Sequence, residues 1–152
     1  MARFKIVSDS SCDLGRERAK ELGVTLVSFY VSFDGENYYR EEQDITNREF
    51  YQQMADRPGV FPRTSMPTVE DYLTVLRPMV ERGEPVLCVC LNAPFSGSFQ
   101  AARNARSLLM EEFPRAEVCV LDSQLATVLQ GVLVLEAVHL RDAGVSLAAA
   151  AA

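Results

Sequence analysis

Tryptophan is absent from the 152-residue chain, and histidine occurs once, at His139. A serine or cysteine nucleophile that needs an imidazole base has a single candidate partner. One histidine among scattered carboxylates gives no metal-ligand spacing, so no metal site is expected. Four cysteines occur, Cys12, Cys88, Cys90 and Cys119, and none forms CxxC. Neither GxGxxG nor GxxxxGK[ST] is present, so the sequence lacks a nucleotide phosphate loop. An excess of positive charge is missing too: the net charge of -6 argues against a nucleic-acid partner, which needs a basic face. No apolar run reaches the roughly 20 residues that span a bilayer. The most apolar stretch, Leu125 to Leu140, is interrupted by Gln130, Glu136 and His139 and reads as a buried helix with a packed histidine. The N-terminal "MARFKIVSDSS" has no long apolar core and no cleavage signature, and does not read as a signal peptide.

What is present is ordinary for a soluble globular domain: 48% apolar and 24% charged residues. The cysteines read as small buried hydrophobes in a reducing cytoplasm. Cys88 and Cys90 are two apart on a strand and share a face, where a disulfide is poorly placed.

Phe4 to Val7 reads as a first strand, followed by a helix from Asp13, its N-cap, to Leu22, closed by Gly23. Val24 to Phe33 reads as a second strand, with an Asp34-Gly35 turn and a return strand starting at Tyr38-Tyr39. "DITNREFYQQMA" carries Thr46 and Glu49 at capping-box spacing. Arg57 to Pro67, with three prolines and a glycine, reads as a loop without regular structure. Thr68 opens a helix to about Arg82, with a kink or break expected at Pro78. Val86 to Leu91 and Val118 to Leu121 read as buried strands, each followed by a helix, Ser98 to Glu112 and Gln124 to Arg141. This alternation predicts an α/β fold: a Rossmann-like parallel sheet flanked by helices, with a small β-hairpin and helical insertion. Ligands of such sheets sit beyond the carboxyl ends of the strands, near a switch point in strand order. The polar clusters "SDSS", "APFSGS" and "DSQ" fall there. Asp9, Asp13 and Asp122 read as solvated caps at those ends.

The stretch Pro94-Phe95-Ser96-Gly97-Ser98 allows three roles. A nucleophile elbow is disfavoured, because the first glycine of GxSxG is missing and His139 lies in an apolar helix. An anion cradle fits better: backbone N–H groups and a helix start supply partial positive charge, Ser96 and Ser98 are neutral donors, and Gly97 admits close approach. A plain helix cap is the third. In "PRTSMP", Thr64 and Ser65 offer a second pair of hydroxyls before a helix, although Thr68 is the better cap. Two such loops facing one point can hold a carboxylate or phosphate without a formal positive charge.

Taken in order, "KIVSDSSCDL", "DITNREFY", "FPRTSMPTVEDY", "SGSFQAA" and "VLDSQLATVLQGVLVLEA" resemble the DegV family of bacterial fatty-acid-binding proteins over essentially the whole chain. The resemblance implies a first α/β domain, here residues 1–152, with the chain ending before the second domain of the family. It implies a long-chain fatty acid lying in a tunnel between the two domains. Its carboxylate would be hydrogen-bonded by Thr64 and Ser96, with Ser65, Gly97 and Ser98 in support. It further implies that the protein is a cytoplasmic binding protein, not an enzyme, with no catalytic residue and no cofactor beyond the bound acid. A fatty acid kinase would be the partner, converting the presented carboxylate to an acyl phosphate. Two other functions stay open: a serine-dependent acyl-transfer or hydrolytic enzyme using Ser96 or Ser98, and a ligand-free regulatory or scaffold domain.

Overall fold

The computed structural model describes residues 3–152; Met1 and Ala2 of the N-terminal stretch lie outside the described residues. Four parallel strands build the main sheet: β1 (Lys5–Asp9), β2 (Val24–Val27), β6 (Val86–Cys90) and β7 (Val118–Asp122), in the order β2-β1-β6-β7. Helices cover both faces, so the central strands are apolar on both sides. Val7, Cys88 and Cys90 pack toward α3 (Val69–Glu81) and α4 (Ser98–Glu112), against Tyr72, Leu76, Ala105 and Leu109. Ile6, Leu87 and Val89 pack the other way, toward α1 (Arg16–Glu21) and α5 (Thr127–Asp142), against Ala19, Val134 and Val138. From β1 the chain crosses first to β2 and later to β6, on opposite sides. The switch point is therefore between β1 and β6.

A second, antiparallel sheet stands apart, in the order β4-β3-β5: β3 (Tyr30–Ser32), β4 (Tyr39–Arg40) and β5 (Arg63–Ser65). With α2 (Asn47–Asp56) it forms the expected insertion. The single strand expected over Val24 to Phe33 is two strands in two sheets. At the break, the Phe29 N–H donates to Ser10 Oγ (2.9 Å) and the Ser28 hydroxyl donates to the Glu41 carbonyl (2.7 Å). Those partners come from other segments, and no proline or glycine marks the change. The expected loop at Arg57 to Pro67 contains β5, which pairs Thr64 with Val31 and Ser65 with Tyr30. The prolines flank this strand and remove none of its pairing N–H groups.

Other expectations shift in detail. Asp13 is not the N-cap of α1; Gly15 is, and Asp13 closes a 3-10 turn at Ser10–Cys12 with φ 54°. α3 continues through Pro78 to Glu81 without a break. α5 starts at Thr127 and is buried along one side only, at Gln130, Gly131, Val134, Ala137 and Val138. His139 is not packed: its side chain is exposed, 3.7 Å from Glu136. The chain closes with α6 (Leu147–Ala150). The four cysteines are free, with Cys12, Cys88 and Cys90 buried and Cys119 half-buried. No helix among the described residues is long and apolar enough to cross a membrane.

Candidate functional site

The two hydroxyl loops are fixed by different elements. Thr64 and Ser65 lie on exposed β5, the edge of the small sheet. The loop after them is tied down by a capping box: Thr68 Oγ1 accepts from the Asp71 N–H (3.2 Å), and Asp71 Oδ2 accepts from the Thr68 N–H (2.7 Å). The Tyr30 hydroxyl donates to the other oxygen of Asp71 (2.7 Å), fastening β3 to the start of α3. Burial works against ionisation of Asp71, but the hydrogen bonds from Thr68 and Tyr30 outweigh it and hold the carboxyl below its ordinary value. The same bond to Asp71 pushes the Tyr30 phenol up.

Ser96 is half-buried in the loop after β6, and Ser98 opens α4 fully buried. Ser96 Oγ accepts from the Ser98 N–H at 3.2 Å. That bond uses an oxygen lone pair and leaves the Ser96 proton uncommitted. The loops meet at Gly97: a Cβ added there would stand 2.6 Å from Met66 Sδ, one residue past Ser65. Arg63, beside Thr64, turns away; its Nη1 lies 2.9 Å from where a Cβ on Gly35 would sit.

Ser98 has a different role from Ser96. Its hydroxyl donates to Asp9 Oδ2 at 2.8 Å, within a buried network that composition gave no sign of. Asp9, the last residue of β1, is 0% exposed, which corrects its reading as a solvated cap. Its Oδ2 also accepts from the Leu91 N–H (2.9 Å). Its Oδ1 accepts from Gln130 Nε2 (2.8 Å) and Ser11 Oγ (2.6 Å). The single Ser98 proton is committed to Asp9, so the Tyr72 hydroxyl, 2.7 Å away, donates to Ser98 Oγ. Burial pushes the Tyr72 phenol well above its ordinary value and keeps it a neutral donor. Asp122, by contrast, is half-buried and accepts from the Ala93 and Gln124 N–H groups.

Large apolar side chains border the hydroxyl loops in solvent. Phe61 is 86% exposed and Phe95 72%, and Met66 is also exposed. Val128, Leu129 and Val132, in the first turns of α5, are exposed too. His139 lies about 18 Å along that helix from its start at Thr127, at the end away from Asp9 and the strand termini. Among the described residues no group of three His, Cys, Asp or Glu side chains is arranged to hold a metal ion.

These features define a class: a parallel α/β layer whose switch point carries a neutral hydroxyl loop, met by a second from the small sheet, in place of a phosphate loop. The family model described as "Uncharacterised protein, DegV family" matches residues 3–152, and the chain belongs to the DegV family. A DegV domain-containing protein of Clostridium acetobutylicum is 33% identical over 120 residues, covering 79% of this chain and 41% of its own. A crystal structure of a stearic-acid-binding protein from Eubacterium ventriosum superposes with TM-score 0.92 at 48% identity, covering 97% of this chain and 50% of that one. A fatty-acid-binding DegV family protein from Thermus thermophilus gives TM-score 0.80 at 36% identity, again over 97% and 50%. The chain thus spans about half the length of the relatives it matches.

Proposed function

We propose that the protein binds a long-chain fatty acid, with Thr64 and Ser96 donating hydrogen bonds to its carboxylate and Ser65, Gly97 and Ser98 supporting the two loops. The observation that carries this reading is the meeting of the loops at Met66 and Gly97, with Phe61 and Phe95, a few residues before Thr64 and Ser96 in sequence, exposed. Neutral donors match a carboxylate and exposed apolar side chains match an acyl chain. The relatives described as binding stearic and other fatty acids share this half of their fold.

The carboxylate must be matched when it leaves water. Hydroxyls do so while leaving an oxygen open to a second protein. The protein therefore suits the role of a carrier, not an enzyme, that presents its ligand to a fatty acid kinase for acyl-phosphate formation. A serine-enzyme reading lacks an imidazole base: the single histidine, His139, sits at the far end of α5, 3.7 Å from Glu136.

Titration of a fluorescent fatty acid into the wild type, Thr64→Ala and Ser96→Ala tests the assignment. Each variant loses a hydrogen bond to a charged group and should bind about tenfold more weakly. Unchanged affinity in both refutes it. A fluorophosphonate probe should leave every serine unlabelled; covalent labelling of Ser96 or Ser98 would favour the enzyme.

A further inference from the structure

We propose that Asp9 is the positioning residue of the Ser96–Gly97–Ser98 turn, an inference that rests on Ser96 acting as a carboxylate donor. Asp9 occupies the switch point, where β1 ends beside β6. One of its oxygens, Oδ2, accepts from both the Leu91 N–H and the Ser98 hydroxyl. Leu91 is the first residue beyond β6 and Ser98 the first of α4. Both ends of the 92–97 loop are therefore pinned to a single atom, 82 and 89 residues away in sequence. The other oxygen is held by Ser11 and Gln130, so the carboxylate cannot rotate to release the loop without losing bonds on its far side.

The orientation passes on through Ser98. Its proton goes to Asp9 and its lone pair takes the Tyr72 hydroxyl, which fixes the side chain at the first position of α4. The Ser98 N–H then donates to Ser96 Oγ, setting the serine whose own proton remains free. A carboxylate suits the hub because it is acceptor-only, with room for about four donors. Asparagine presents an NH2 to one of the two donor pairs and leaves that pair without an acceptor. Asp9 acts on the ligand only through Ser98 and the Leu91 backbone.

The test compares Asp9→Asn, Ser98→Ala, their double variant and Ser96→Ala in the intact protein. Affinity for a fluorescent fatty acid is measured well below each variant's Tm, and amide spectra are recorded without ligand. Asp9→Asn and Ser98→Ala should each raise Kd about tenfold, and the double variant no further, because both break one chain of contacts. The Gly97 and Ser98 amide resonances should move in the ligand-free protein. A brace that serves only the fold would lower Tm and leave both readouts alone. Wild-type affinity in Asp9→Asn and Ser98→Ala, with Ser96→Ala weakened, overturns the positioning role by itself. Wild-type affinity in Ser96→Ala overturns Ser96 as a carboxylate donor, and the ligand-free spectra then decide the positioning role. If Asp9→Asn does not fold, Ser98→Ala decides the question through the same two readouts.

Discussion

Two glycines show how close contacts at single residues hold the site. Gly131 lies in α5 where a Cβ would stand 2.4 Å from the Cys12 carbonyl oxygen. That atom is backbone and cannot swing aside, so the first turns of α5 rest directly on the 3-10 turn after β1. Gly131→Ala should cost roughly 1–3 kcal/mol, the usual cost of overpacking, read as a lowered midpoint in chemical denaturation. Gly97→Ala meets Met66, whose thioether end can move, and should shift the Thr64 loop more than the stability. The sequence displayed Thr64, Ser65, Ser96 and Ser98 because hydroxyls beside glycine and proline stand out in a local pattern. Asp9 was hidden. Its partners come from residues 11, 91, 98 and 130, which only the sheet order brings together. Gln130, a polar residue in an apolar helix, was the one local sign that a buried acceptor needed it.

Among the elements, β1, β6, β7 and α4 appear at or within two residues of their expected bounds, because buried runs and cap signals are local, whereas the strand expected to run to Phe33 leaves the main sheet at Val27. β5 was not legible. Its pairing with β3 joins residues 30–32 to 63–65, and a proline-rich segment offers no period-2 pattern over three residues. The Thr68–Asp71 box anchors that segment to α3. Thr68→Ala should destabilise by about 1 kcal/mol, the usual value of an N-cap, measured by thermal or urea unfolding. Asp71 gives the box a pH dependence. Its folded pKa is depressed, so its contribution is full above the ordinary carboxylate range near pH 4 and is lost as pH falls through the lower folded value. The stability gap between wild type and Asp71→Asn should therefore narrow on acidification below about pH 4. A gap that stays constant there would mean that Asp71 is not held by these bonds.

At the scale of the whole molecule, polar and apolar features divide the proposed ligand between them. The loop at the switch point and the edge of the small sheet supply the hydroxyls, and Phe61, Met66, Phe95 and the first turns of α5 supply exposed apolar area. Each methylene taken out of water is worth about 0.8 kcal/mol, so full enclosure would raise affinity roughly fourfold per added carbon. An open surface would give a shallower dependence, which a series of saturated acids from ten to eighteen carbons, about 0.8 kcal/mol per step at most, would measure. The central claim, that the protein carries a fatty acid by its hydroxyl loops, is tested most directly by denaturing extraction of the purified protein followed by mass spectrometry. A long-chain fatty acid should be recovered from the wild type and be depleted from the Thr64→Ala, Ser96→Ala double variant. A wild type that yields no fatty acid, and takes up none when incubated with palmitate, would contradict the account.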